Sequence, residues 1–99
     1  MIITRTNEND SITLVVIGDL TAQTAGQFST TVKAAIEETS NLVLDFSDTE
    51  FVASAGLRVL LETKKLMDAK GGNFILRNVC GEVMEIFDIT GFSDILKIE

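Results

Sequence analysis

One stretch of the chain, residues 47–56, concentrates the side chains whose types and spacing could do chemistry. It holds the acids Asp48 and Glu50, the aromatic Phe51, and Ser54 at the predicted start of a helix. The neighbours of Ser54 are small, so the active site of another protein could reach its hydroxyl. A phosphate attached there would meet unpaired amides and the positive end of the helix dipole. The same hydroxyl is also expected to act as the helix N-cap, a role worth about 1 kcal/mol.

The composition excludes most catalytic chemistry. The chain has no histidine, which is the usual base near neutral pH and the usual zinc ligand. Its single cysteine, Cys80, has no histidine to activate it and is expected to be a packed thiol. Neither glycine-rich phosphate-binding motif occurs, and the pair of acids Asp45 and Asp48 is only a weak signal for Mg²⁺. We therefore expect no metal, no cofactor and no nucleotide-hydrolysing role.

Charge and length restrict the partners and the compartment. The 8 basic and 15 acidic residues give a net charge of −7, which repels nucleic acids and favours a partner with a basic docking face. The N-terminus turns polar too early for a signal peptide, and no apolar run approaches the roughly 20 residues needed to cross a bilayer. We expect a single cytoplasmic domain over residues 1–99, with no membrane insertion.

Strand and helix patterns alternate along the chain. A strand at 2–6, a polar turn at 7–10 and a second strand at 12–17 predict a hairpin, and further buried strands are predicted at 42–46 and 74–76, with a terminal one at 95–98. Apolar residues at steps of three and four predict one helix within 25–39 and another at 54–69, which Gly71-Gly72 ends. A short third helix begins near Val83 and closes near Gly91.

This order predicts an α/β fold. We expect a mostly parallel sheet with an antiparallel N-terminal edge strand, packed with amphipathic helices. The β-branched run at 12–17 is typical of a strand covered on both faces. Functional groups in such sheets gather beyond the carboxyl ends of the strands. The three loops at that edge are 18–21, 47–56 and 78–82.

Four sequence elements, in this order, resemble one known family. Leu44-Asp45-Phe46-Ser47 followed by Phe51-Val52-Ala53-Ser54-Ala55-Gly56-Leu57-Arg58-Val59-Leu60 is similar to the central motif of STAS domains, specifically of bacterial anti-sigma-factor antagonists. Gly18-Asp19-Leu20-Thr21 matches the family's upstream Gly-acid-Leu-Asp element. Gly71-Gly72 before a strand and Phe87-Asp88-Ile89-Thr90-Gly91-Phe92 near the end also fit, so the resemblance covers nearly the whole chain.

The resemblance implies a STAS-like fold and a protein switch rather than an enzyme. Such antagonists bind an anti-sigma factor that is also a serine kinase, and this releases the sigma factor. The kinase phosphorylates one serine of the antagonist, which then dissociates, and a metal-dependent serine phosphatase resets it. Aligned on Gly56, that serine is Ser54. The family usually has aspartate just before the acceptor and at the end of the upstream element, where this chain has Ala53 and Thr21.

The predicted partner-binding surface consists of the residues around the acceptor, namely Asp19, Thr21, Phe51, Ala53, Ser54 and Arg58. Three of them also have simpler structural interpretations. Thr21 could cap the first helix, and Arg58 could be an ordinary solvated surface charge. Phe51 could either anchor a partner or close the end of the sheet.

Two other functions are compatible with the same residues. Because Ala53 replaces the usual acid, the domain could instead be a constitutive STAS interaction subunit of a scaffold or lipid-transport complex, without phospho-switching. In a receiver-like domain, Asp45 at a strand end would accept the phosphate with Mg²⁺ as cofactor. Receivers need a further acidic pair after their first strand, however, and Asp19 stands alone at that place.

Overall fold

A computed structural model describes residues 1–99 and contains one five-stranded mixed sheet. The elements in chain order are β1 (Ile2–Glu8), β2 (Ser11–Ile17), α1 (Ala25–Ile36), β3 (Asn41–Asp48), α2 (Ser54–Ala69), β4 (Asn73–Arg77), α3 (Gly81–Thr90), a 3₁₀ turn (Phe92–Asp94) and β5 (Lys97–Ile98). The strands lie side by side in that same order, with β1 antiparallel to β2 and all other neighbours parallel. The predicted α/β fold with an antiparallel N-terminal edge strand is confirmed.

Several predicted boundaries move by a few residues. β1 continues to Glu8, which pairs with Ser11, so the hairpin turn is only Asn9 and Asp10. α1 ends at Ile36, and Thr39 is buried beyond the helix because its hydroxyl donates to the carbonyl of Asp10. α2 has its predicted bounds and, at 16 residues, is the longest helix. None of the helices has the length and apolar character that crossing a bilayer requires.

All three helices pack on the same face of the sheet. Every second residue of β2, β3 and β4 is buried in one cluster with the buried helix residues: Ile12, Leu14, Val16, Leu42, Leu44, Phe46, Phe74 and Leu76 with Phe28, Val32, Leu60, Met67, Val83 and Phe87. Val43 is also buried, but it lies outside this cluster and pairs with Thr13 on the other side of the sheet. We call the other, helix-free side of the sheet the open face. The prediction that the strand at 12–17 is covered on both faces is therefore wrong. Thr13 and Val15 lie on the open face, where β-branched side chains shield one another across neighbouring strands.

A bulge near the end of β3 changes which side chains face the core. Val15 pairs with Asp45 and Ile17 pairs with Asp48, so β3 has one more residue than β2 between these two pairs. One extra residue reverses the alternation of side chains. Asp48 therefore shares the open face with Ile17, and Thr49 turns into the core, where it is completely buried. The bulge sets the direction in which the chain enters the loop before α2.

Candidate functional site

Two loops at the carboxyl end of the sheet are joined by backbone hydrogen bonds. The N–H of Leu20 donates to the carbonyl of Phe51 at 3.0 Å, and the N–H of Ala53 donates to the carbonyl of Leu20 at 2.7 Å. Leu20 and Val52 form a parallel bridge, and both are buried. The segment after β2 thus continues the sheet for a few residues. It fixes the path of the chain into α2.

Three side-chain hydrogen bonds hold the loop before α2 in place. A carboxylate oxygen of Asp19 accepts the N–H of Glu50 at 3.1 Å. The buried hydroxyl of Thr49 donates to the carbonyl of Val16 at 2.9 Å, and the thiol of Cys80 donates to the carbonyl of Thr49 at 3.4 Å. The ends of β2, β3 and β4 therefore meet at Thr49. Cys80 is half-buried, in keeping with a packed thiol.

Ser54 is the first residue of α2, and its side chain is exposed. The prediction that its hydroxyl is the N-cap is wrong, because the N-cap is Ala53, which is extended (φ −83°, ψ 173°) and makes no side-chain capping bond. The bond from Ala53 to the carbonyl of Leu20 keeps residue 53 extended, and Ser54 is already the first helical residue. The Ser54 hydroxyl is thereby released from a structural role and faces solvent at the positive end of α2.

Thr21 belongs to the turn that precedes α1 and does not cap that helix. The N-cap of α1 is Thr24, whose hydroxyl donates to the carbonyl of Asp19 at 2.8 Å and accepts the N–H of Thr21 at 2.9 Å. The hydroxyl of Thr21 accepts the N–H of Gln23 at 3.2 Å. These bonds shape the loop that carries Asp19. The expectation that Thr21 caps α1 is therefore corrected.

The remaining predicted residues surround Ser54. Phe51 leaves 48% of its surface exposed, so it does not close the end of the sheet. Arg58 is exposed one helical turn after Ser54, on the same side of α2. Asp19, with the exposed carboxylates of Asp48 and Glu50, lies on the loops beside them. The site is thus an acidic rim with one aromatic side chain, one arginine and one accessible hydroxyl.

Asp45 lies on the open face, and both of its carboxylate oxygens are engaged within the fold. They accept the N–H of Ser47 at 2.9 Å and the amide of Asn78 at 3.0 Å. Partial burial raises the pKa of the Asp45 carboxyl, but these hydrogen bonds and the charge of Arg77 outweigh it and leave the pKa below its ordinary value. No group of three or more His, Cys, Asp or Glu side chains is close enough to hold a metal ion. The geometry gives Asp45 a structural role at the ends of β3 and β4.

The comparison with protein families shows to which family the chain belongs. A family model described as the STAS domain matches residues 2–99. The chain belongs to the STAS family. The resemblance that the sequence motifs indicated is confirmed.

Individual STAS proteins are similar over most of the chain. The anti-sigma-B factor antagonist of Bacillus subtilis is 30% identical over 92 residues, which cover 93% of this chain and 84% of that protein. A crystal structure of an anti-sigma factor antagonist from Mycobacterium paratuberculosis has a TM-score of 0.89 at 20% identity and covers 98% of this chain and 83% of that one. The phosphorylated form of the Bacillus cell fate determinant SpoIIAA has a TM-score of 0.76 at 17% identity, covering 99% and 91%. The two structures establish the shared fold.

The six predicted surface residues lie at one end of the molecule, and the sequence did not indicate the contacts that support that end. All six predicted surface residues lie on the two joined loops and the first turns of α2. Thr49 was missed because a threonine in a loop gives no sign of burial until the bulge in β3 is known. Cys80 was expected to be packed, but its bond to the Thr49 carbonyl depends on the meeting of two loops 31 residues apart.

Proposed function

We propose that this STAS domain is an anti-sigma factor antagonist: a non-enzymatic module that binds an anti-sigma factor serine kinase and is switched off by phosphorylation of Ser54. The observation that carries this proposal is the position of Ser54. Its exposed side chain stands at the first residue of α2, between the half-buried Ala53 and Ala55. A kinase active site can therefore reach the hydroxyl without unfolding the chain. The name of the Bacillus subtilis relative supports the same role.

The fold is suited to carry a phosphate at this position. The first N–H groups of α2 have no partner within the helix, and the helix dipole adds positive potential there. Arg58, one turn further on, places a guanidinium on the same side of the helix. Phosphorylation is thus expected to leave the domain folded. The phosphorylated form of SpoIIAA, which shares this fold, supports that expectation.

The added charge is sufficient to release a partner. A phosphoserine brings about −1.5 to −2 charges at neutral pH, and in the complex these charges face the part of the partner that covers Ser54. One unit-charge pair about 6 Å apart is worth roughly 0.7–3 kcal/mol between watery and intermediate dielectric. Where the partner surface that faces Ser54 is acidic or apolar, the repulsion of about 1.5–2 charges and the desolvation of the phosphate together weaken binding by about 10–1,000-fold. A metal-dependent serine phosphatase would restore the binding form.

The test uses the anti-sigma factor kinases encoded in the same genome, each purified and incubated with this protein and ATP. Intact-mass spectrometry is expected to show the addition of one phosphoryl group by one of them, and none on the Ser54→Ala variant. Ser47→Ala is the matched control, because Ser47 is an exposed serine near the end of β3, close to the loop that leads to Ser54, and this variant is expected to be phosphorylated like the parent. Addition to Ser54→Ala, or to no form of the protein, contradicts the switch.

A constitutive interaction subunit is the second candidate, and one observation favours it. Ala53 and Thr21 stand where the family usually has acids, which leaves the immediate surroundings of the acceptor less charged. In that case the domain binds its partner in a scaffold or lipid-transport complex, and Ser54 stays unmodified. A stable complex with a kinase-free partner, together with no phosphoryl transfer by any kinase of the panel, would support this candidate.

A further inference from the structure

Three of the exposed large apolar side chains lie together at one corner of the sheet. Ile2, Ile17 and Phe51 expose 63%, 38% and 48% of their surface. Ile2 and Ile17 are cross-strand partners, and the partner of Ile17 on its other side is Asp48, three residues before Phe51. We call Ile2, Ile17 and Phe51 the apolar corner. It lies beside the loop that leads to Ser54.

Strand alternation turns Ile2 and Ile17 away from the core, and the bridge after β3 does the same for Phe51. Cross-strand partners share a face, so Ile2 and Ile17 both stand on the open face. Val52 points into the core, at 2% exposure, and Phe51 beside it is therefore turned to the outside. No helix covers this side of the sheet. The apolar corner thus faces solvent and continues the surface that contains Ser54.

The charges at the corner indicate what can cover it. The exposed carboxylates of Asp19, Asp48 and Glu50 border the three apolar side chains. A second copy of this chain would bring the same carboxylates and another −7 net charges to the contact. A protein surface that combines an apolar patch with lysine or arginine at its border satisfies both features. The complementarity therefore favours a different, basic protein over a second copy.

We infer that the apolar corner is the second part of the docking surface for the anti-sigma factor kinase, so that the kinase contacts the open face as well as the Ser54 loop. This inference rests on the proposed function and extends it to the chemistry of the partner. The kinase presents an apolar patch to Ile2, Ile17 and Phe51, and basic side chains to the acids beside them. The apolar corner contributes affinity and the acids contribute to the association rate, while Ser54, which faces a part of the kinase that is not basic, is the switch.

The central test is the dissociation constant of the kinase for the double variant Ile2→Thr/Ile17→Thr, measured by calorimetry. Threonine keeps the β-branched shape that suits a strand and removes apolar surface. The variant is expected to raise the dissociation constant about tenfold or more, since each side chain is partly exposed before binding. Ile95→Thr is the matched control: Ile95 is 43% exposed and follows the 3₁₀ turn, at the opposite end of the sheet. It is expected to change the dissociation constant less than twofold.

A second measurement examines the charge of the partner. Raising the salt concentration is expected to slow association of the kinase with the parent protein. In the variant Asp48→Asn/Glu50→Gln, the association rate is expected to depend less on salt. An association rate that does not respond to salt would contradict a basic partner surface. Self-association lost in Ile2→Thr/Ile17→Thr, by sedimentation velocity, with an unchanged kinase dissociation constant, would assign the corner to a second copy and overturn the inference.

The failure of this inference differs from the failure of the proposed function. If Ser54→Asp weakens kinase binding and the double isoleucine variant does not, the switch stands and the extended docking surface is wrong. If no kinase of the panel binds the parent protein, the proposed function itself is wrong, and the corner then has no kinase to dock.

Discussion

Gly56, in the first turn of α2, packs directly against Leu20 in the loop after β2. A Cβ placed on Gly56 would lie 2.7 Å from the Cβ of Leu20 and 3.1 Å from Cγ1 of Val52. Both neighbours are buried and belong to the bridge that joins the two loops of the site. The missing side chain of Gly56 therefore allows α2 to begin close enough to place Ser54 at the rim.

Gly56→Ala is expected to destabilise the protein because the helix must shift to admit one methyl group. Overpacking a core contact costs about 1–3 kcal/mol, which outweighs the gain of about 1 kcal/mol in helix propensity. The free energy of unfolding in urea is the measurement. Gly26→Ala is the matched control, since Gly26 lies in α1 and has nothing within 4 Å of its added Cβ. That variant is expected to gain about 0.5–1 kcal/mol, and an equal gain for Gly56→Ala would refute the close packing.

Thr49→Val is expected to lower the free energy of unfolding by about 1–3 kcal/mol, because it leaves the buried carbonyl of Val16 without its donor. Thr49→Ser keeps the hydroxyl and should retain that bond at the smaller cost of one methyl group. The control is Thr30→Val, an exposed threonine whose hydroxyl donates to the carbonyl of Gly26 within its own helix. A loss no larger for Thr49→Val than for the control would show that the Thr49 hydroxyl does not hold the loop.

The pH dependence of stability follows from the lowered pKa of Asp45. A carboxyl whose pKa is lower in the folded state stabilises the protein above its unfolded pKa, about 3.9, and this contribution disappears as the pH falls through the folded pKa. Asp45→Asn is therefore expected to be less stable than the parent at pH 7, with a difference that shrinks in acid. Urea unfolding over a descending pH series measures it, with the exposed Glu85→Gln as control. A difference that stays constant with pH would contradict the role of the carboxylate charge.

Asp19 has two separable roles, because its carboxylate both accepts the N–H of Glu50 and carries charge at the rim. Asp19→Asn keeps an oxygen that can accept this bond and removes the charge. We expect unchanged stability and a slower association with the anti-sigma factor kinase, measured by stopped flow at low salt. Asp19→Ala should lose the bond as well and about 0.5–1.5 kcal/mol of stability. An unchanged association rate for Asp19→Asn would leave Asp19 with the structural role alone.

The sequence was informative where local signals are strong. α2 runs from Ser54 to Ala69 as predicted, because its apolar spacing is regular and Gly71, with φ +70°, takes a backbone conformation that glycine tolerates best. The β-branched run at residues 12–17 led to the wrong prediction of a strand covered on both faces, because β-branched residues occur on an open face as well as on a buried one. Which face the helices cover depends on the packing of the whole chain.

The N-cap of α2 and the burial of Thr49 could not be predicted from the local sequence either. The N-cap is Ala53 and not Ser54, and the extended backbone of Ala53 is held by the bond of its N–H to the carbonyl of Leu20, in a distant segment. The burial of Thr49 follows from the register between β2 and β3. Neither pairing can be read from residues next to each other in the sequence.

The most direct test compares the dissociation constants of the anti-sigma factor kinase for Ser54→Asp and Ser54→Ala, with unfolding curves to show that both variants are folded. We expect Ser54→Ala to bind like the parent protein and Ser54→Asp to bind about 10-fold or more weakly. Equal dissociation constants for the two variants would contradict the switch.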